Sequence, residues 1–483
     1  MALVPLLLLP YSLESQALSA TTSERIHGTA PYLTFDGGTT KLTTTDDLLS
    51  IKLSDGRTFT LQNNSSSPTA PIKLPNVEDT FADIEMIVPS SSNSININDL
   101  VAQGKWGDDD GDGQGAGEVT ASGSISLVIK DKDGNTVNRS DTLSLCNAPY
   151  KVTLDSSEGT LETRYGMPNS STFSGGTAEY YITLPSQPVI CSVRPNLLLG
   201  GTTGLGWDDK IYAGPANIWD PAKGFLVQST SPSSYDRNFP TTGADGLYFD
   251  LDIVGVDASQ LSWTVTTRGD ITATVSWTRP LTGTFTATDG RTVQADMWIT
   301  DKSQNVTRVT LHGPEARNQW DNSNPSRITV PSLPQKFELV GSDRSGNEVR
   351  YGFVLRQWFI SRGNKMGSLS AQTTWCNSLG YRMPQVKDLT NAKCGVDSDY
   401  FPCINGIDGA TPSSSKNNYQ RQIGAGLFTE WGFMINYADA DFDYYTYNTS
   451  DAFGRDHFGI ESGSGFTSIT LGSYNYPVVC TTP

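Results

Sequence analysis

The stretch Trp375-Cys376-Asn377-Ser378-Leu379-Gly380-Tyr381-Arg382-Met383-Pro384 places a cysteine just before a Gly-Tyr-Arg-Met-Pro break, in a chain otherwise rich in Thr, Ser, Gly and Asp. Ser370 to Leu379 reads as a short helix, with Ser370 as its N-cap and Gly380 as its stop. The run Tyr351 to Phe359 before it reads as a strong strand. Lys387 to Ala392 after it reads as a second short helix, and Tyr476-Pro477-Val478-Val479-Cys480 reads as a closing strand. The C-terminal order is therefore strand, helix with cysteine, helix, long irregular middle, and strand with cysteine.

The six cysteines are Cys146, Cys191, Cys376, Cys394, Cys403 and Cys480, an even count that suggests disulfides. Sequence alone does not fix their connectivity. Their grouping, two in the middle and four near the end, leads us to expect Cys146–Cys191, Cys376–Cys480 and Cys394–Cys403. A Cys376–Cys480 bond would bring the two ends of the last region together, which is worth about 4–5 kcal/mol in the chain-entropy picture. No C-x-x-C occurs, and the histidines His27, His312 and His457 are scattered, which argues against zinc.

At 483 residues the chain is too long for one ordinary domain. Low charge (18 %) and 46 glycines, with abundant Thr, Ser, Asn and Val, favour short strands and turns. A net charge of -17 argues against nucleic-acid binding, which needs a basic surface, and fits an acidic extracellular one. Residues 1–20 carry an apolar run, Leu3 to Leu9, followed by Ala17 and Ala20. They read as a secretory signal without its basic start; the competing reading is a buried first strand. No later run is long enough to span a bilayer.

In residues 21–75, Leu48 to Leu53, Asp55-Gly56 and Thr58 to Leu61 read as a hairpin with a tight turn. Residues 76–195 hold alternating runs at Ser124 to Ile129, Tyr150 to Leu154 and Glu179 to Leu184, the spacing of a β-sandwich that Cys146 and Cys191 would staple. Residues 196–334 hold strands at Leu247 to Leu251, Leu261 to Val265, Ile271 to Trp277 and Val306 to Leu311, a second sandwich. Pro331 and Pro334 then read as a linker into a last region, 335–483.

In that last region the set Trp375-Cys376, Gly380 to Pro384, Leu389, Glu430-Trp431-Gly432, Tyr444-Tyr445-Thr446 and Val478-Val479-Cys480 resembles a C-type-lectin-like domain. More closely, it is similar to the C-terminal tip of invasin/intimin-type bacterial adhesins. The resemblance implies a mainly β chain, with tandem β-sandwich (Ig-like) domains followed by a C-terminal α+β C-type-lectin-like domain. It further implies an extracellular or cell-surface protein whose tip binds a surface protein or glycan on another cell. The calcium–sugar motifs Glu-Pro-Asn, Gln-Pro-Asp and Trp-Asn-Asp are missing; Trp320-Asp321-Asn322 is scrambled and precedes the region. A protein partner is therefore expected ahead of a calcium-held sugar. The run around Phe442, Tyr444, Tyr445 and Tyr447 is the candidate contact surface, set against a core strand with alternate aromatics buried.

Gly107 to Glu118 forms an acidic loop. Asp108, Asp110 and Asp112 alternate before Gly113, the start of a calcium loop in which hard carboxylate oxygens converge on a hard cation. Glu118 stands one place short of the closing ligand of an EF-hand, so a looser calcium loop between strands is weighed against a solvated acidic turn. Gly200 to Gly206 is not followed by Gly-Lys-Ser/Thr, and neither G-x-S-x-G nor H-E-x-x-H occurs. No enzyme is expected. The alternatives are an extracellular carbohydrate-active enzyme or carbohydrate-binding module, and an interaction subunit of a surface appendage or conjugation apparatus. Self-association is left open.

Overall fold

Strands rich in β-branched residues and separated by glycine, asparagine and proline turns account for most of the regular secondary structure among the described residues. The structure is a computed structural model that describes residues 27–111, 115, 117–185, 188–202, 207–394 and 407–483. The candidate signal at 1–20, Asp112 and Cys403 lie outside the described residues. The chain divides into two units, Met1–Pro185 and Ser186–Pro483.

In the first unit a five-stranded sheet runs in the order Ile72–Lys73, Gly176–Thr183, Tyr150–Ser156, Ser124–Lys130, Ser94–Asn96. A three-stranded sheet joins Ser170–Phe173, Gly159–Thr163 and Val119–Ser122. Period-two burial is clear in Tyr150–Ser156, where Tyr150, Val152 and Leu154 are buried and Lys151 and Thr153 are partly exposed. Side chains of both sheets enter one core, with Leu161 and Phe173 from the smaller sheet and Val152 and Tyr180 from the larger. The expected hairpin is present as Ile51–Lys52 and Thr58–Phe59, with Gly56 at a φ of 88° in its turn. Its upstream half begins as the short helix Thr45–Leu48. Leu48, Leu49 and Ile51 lie in the same core, so residues 21–75 complete this unit instead of standing apart.

The second unit contains a six-stranded sheet in the order Trp219–Asp220, Gly224–Leu226, Val189–Arg194, Tyr248–Val254, Val306–His312, Thr272–Thr278. Cys191 lies on Val189–Arg194, so the division falls before this strand and not at residue 195. Cys146 and Cys191 are both disulfide-bonded, as is Cys394.

A three-stranded sheet of Ser262–Thr267, Gln335–Ser342 and Glu348–Leu355 accompanies the six-stranded one. The hairpin that begins at Gln335 thus belongs to the sandwich, and Pro331 to Pro334 is a connection within it. The reason is the hairpin's apolar face. Phe337 and Phe353 stack at 4.7 Å, and Phe353 meets Phe249 of the large sheet edge-on at 5.9 Å.

The remaining C-terminal region starts with Gln357–Ser361, which pairs parallel with Thr242–Ala244 and antiparallel with Val479–Thr481. Helix Leu369–Leu379 follows, capped by Ser368, whose side chain accepts from the Ala371 N–H, and closed by Gly380 at a φ of 91°. The sequence-expected cap, Ser370, is instead the helix's second residue. Short helices Val386–Leu389 and Leu427–Trp431 come next, then a meander of Thr446–Phe453, Asp456–Glu461 and Thr467–Thr470. Cys376 is bonded to Cys480, with their Cα atoms 5.5 Å apart across a separation of 104 residues. Phe249 and Phe353 of the sandwich share a single core with Trp375, Trp431 and Val479 of this region. Among the described residues no helix is long and apolar enough to cross a membrane.

Candidate binding surface

Two buried charges fix the C-terminal region to the sandwich. The Glu430 carboxylate is fully buried and receives the backbone N–H groups of Thr241, Thr242 and Gly424 at 2.8–3.1 Å. The hydroxyls of Thr241 and Thr242 also donate to it, at 2.9 and 2.5 Å. Burial pushes this carboxyl above its ordinary pKa, opposed by the donors around it. Arg421, equally buried, donates to the carbonyls of Glu430 (3.1 Å), Asn196 (2.5 Å) and Leu198 (3.0 Å). Its guanidinium lies 4.7 Å from the Trp219 ring and 5.2 Å from the Tyr419 ring. These contacts tie the two parts together through both terminal nitrogens of Arg421, while its Nε is buried without a hydrogen-bond partner.

The aromatic run is split by burial. Phe442 and Tyr447 are core side chains, with ring centroids 6.2 Å apart and Phe428 at 6.4 and 5.8 Å. They cannot touch a partner, which corrects the sequence expectation for these two. Strict alternation fails here because the strand begins only at Thr446. Residues 442–445 lie in an irregular segment ahead of it. Tyr444 is half-buried, its ring 5.2 Å from Phe433 and 5.6 Å from the Arg291 guanidinium. Burial and a hydrogen bond to Glu461 raise its pKa.

Tyr445 is 40 % exposed. Beside it stands Phe466, a residue the sequence reading missed, 36 % exposed. The Ser462 N–H donates to the Tyr445 carbonyl at 3.0 Å, and the Glu461 N–H donates to the Phe466 carbonyl at 3.0 Å. The main chains of the two residues therefore meet the same end of Asp456–Glu461. The available signal was a lone aromatic after Gly463-Ser464-Gly465, where a turn leaves a large apolar side chain little to pack on.

In the acidic loop, the Asp108 and Asp110 carboxyl groups come together. Burial and the neighbouring Asp110 push the Asp108 pKa up to about 6. The Thr29 N–H donates to Asp110 at 3.0 Å. Asp109 accepts from the Tyr32 hydroxyl at 2.8 Å and is ion-paired with Lys41. Glu118 does not join Asp108 and Asp110 in a metal-holding group; it is engaged by Arg164 at 3.2 Å and by the Gly115 N–H at 3.2 Å. Among the described residues, no group of three or more His, Cys, Asp or Glu is disposed to hold a metal ion.

No protein-family model matches the chain, and no curated protein does. Among solved structures, the chain is similar to invasin, a bacterial integrin-binding protein, at 12 % identity and a TM-score of 0.33. That match covers 76 % of this chain and 52 % of the other, so the chain spans about half of the invasin length it is matched to. It is also similar to the C-terminal fragment of intimin, solved with the intimin-binding domain of the translocated intimin receptor. There the identity is 9 %, the TM-score 0.30, and the coverage 75 % of this chain and 93 % of that one. The Yersinia pseudotuberculosis adhesin InvE matches at 8 % identity and a TM-score of 0.14, over 77 % of this chain and 90 % of its own.

Proposed function

We propose that this chain is an extracellular adhesin-like protein whose C-terminal region is a C-type-lectin-like tip that binds a protein on the surface of another cell. The observation that carries the reading is the exposed pair Tyr445 and Phe466, held beside half-buried Tyr444 on the rigid end of a meander. Rigid aromatic rings within a polar surround are what protein interfaces use as anchors, because they bury much area and lose little conformational entropy. The helix-to-last-strand disulfide supports the tip reading and fits an oxidising location. Invasin and intimin are themselves named with protein partners, an integrin and the translocated intimin receptor.

The test uses purified Ser186–Pro483, which contains its own core. It should bind cells that the whole chain binds and should block the whole chain when added in excess. Binding by the whole chain that this portion neither reproduces nor blocks would sink the tip reading.

We further propose that calcium binds the acidic loop between Asp108 and Asp110, with Asp112 as a third ligand. What supports this is the forced approach of two carboxyl groups, one of them buried, which a divalent cation would relieve. The ion would stiffen the first unit and take no part in chemistry. Calcium should raise the melting temperature of the wild-type chain and leave an Asp108→Asn/Asp110→Asn variant unmoved. An equal response of the two, or none in either, would reject the site.

A further inference from the structure

A second, unrelated recess lies at the edge of the six-stranded sheet. It is a cavity of about 300 Å³ whose polar lining includes Arg194, Asp252, Asn305 and Thr307, with the indole of Trp277 on one wall. Trp277 stands on the edge strand Thr272–Thr278 and is 42 % exposed. It pairs directly with Thr307 across the ladder. Thr307 is only 1 % exposed, yet its hydroxyl is buried without a hydrogen-bond partner. The Arg194 Nε is likewise buried and unpartnered. Leaving a buried hydroxyl and a guanidinium N–H unmet is costly, and the wall that covers them presents Asp252, Asn305 and the exposed Trp277 to whatever enters the recess.

The charges on the walls select the ligand class. The charges there are already matched: Lys223 lies 3.9 Å from Asp220, and Arg194 and Arg308 share Asp250, with Asp252 beside them. An anion would meet Asp252 and a cation would meet Arg194 and Lys223, with no unmatched charge to favour either. A neutral ligand with hydroxyls on its rim and an apolar C–H face suits the donors, the acceptors and the indole together. We propose that this recess binds one neutral pyranose unit of a glycan. The ring stacks on Trp277, and its hydroxyls are shared between Asp252, Asn305 and Arg194. This inference does not rest on the proposed protein-binding tip, because the two surfaces use different residues.

The experiment is saturation-transfer NMR on the full chain with methyl β-glucopyranoside, methyl β-galactopyranoside and methyl α-mannopyranoside, and with inorganic phosphate followed by ³¹P line broadening. At least one glycoside should receive saturation, with a Kd on the order of 1 mM. Trp277→Ala should weaken that binding at least about tenfold. Asp252→Asn, which keeps the shape and an acceptor for the Ser192 hydroxyl, should weaken it measurably while unfolding by urea stays unchanged. No transfer to any of the three glycosides, equal transfer in Trp277→Ala, or phosphate binding in place of the sugars would each overturn the proposal.

Discussion

Arg382, inside the Gly-Tyr-Arg-Met-Pro break, reaches Asp388 with Nη1 at 2.6 Å and Nη2 at 3.2 Å. The Gln385 N–H (2.7 Å) and the Gln357 amide (2.8 Å) complete the shell. Burial alone would raise the Asp388 pKa, but these partners outweigh it and hold the carboxyl below its ordinary value. A depressed folded pKa means that the stability it contributes is complete above about pH 4 and is lost as pH falls through the folded value. Asp388→Asn should cost about 2–3 kcal/mol at pH 7 in urea unfolding, and the gap from wild type should close below about pH 4. Glu430 has the opposite sign. Its raised pKa makes its contribution decline as pH rises above about 4.3, although its donors still demand an acceptor. Glu430→Gln turns an amide N–H toward those donors and should cost about 3 kcal/mol at pH 7, read from the same urea curves. Neither partner set was legible in the sequence. Thr241 and Glu430 are far apart along the chain, and no local pattern reports a contact that only the tertiary fold creates.

Helix Leu369–Leu379 was legible because its signals are local: a serine cap, buried Trp375, Cys376 and Leu379 on one face, and Gly380 in the left-handed region. The cap was misplaced by two residues, since Ser368 and Ser370 both precede the apolar face and only geometry distinguishes them. Ser368→Ala should destabilise by about 1 kcal/mol, and Ser370→Ala by less, in thermal unfolding. The Cys376–Cys480 pairing expected from the grouping is present. Replacing both cysteines by alanine should remove about 4–5 kcal/mol, visible as a lower urea midpoint with a steeper slope, because the unfolded chain expands without its cross-link. The run Tyr351 to Phe359 was also read as strand, and it divides between Glu348–Leu355 and Gln357–Ser361. Its sheet was not legible, because periodicity tells which face is apolar and not what covers it.

At the scale of the whole molecule, the chain's β-rich character followed from composition, while its divisions did not. Prolines 331 and 334 look like a linker in sequence, yet the hairpin after them completes the sandwich, and Thr242–Ala244 completes the sheet of the C-terminal region. The sandwich and the C-terminal region should therefore unfold in one cooperative step. Ser186–Pro483 should give a single calorimetric transition, whereas Gln335–Pro483, deprived of Phe249 and the Thr241–Thr242 cradle, should show no cooperative melt. Two separate transitions in Ser186–Pro483 would refute the shared core. Under the proposed function, the same shared core would let two exposed rings serve as anchors at little entropic cost. The measurement that bears most directly on the proposed function is cell binding by the whole chain against a Tyr445→Ala/Phe466→Ala variant whose melting temperature matches wild type. The account predicts that the variant loses at least about tenfold in affinity, the scale of two truncated anchors. Undiminished binding by the folded variant would contradict it.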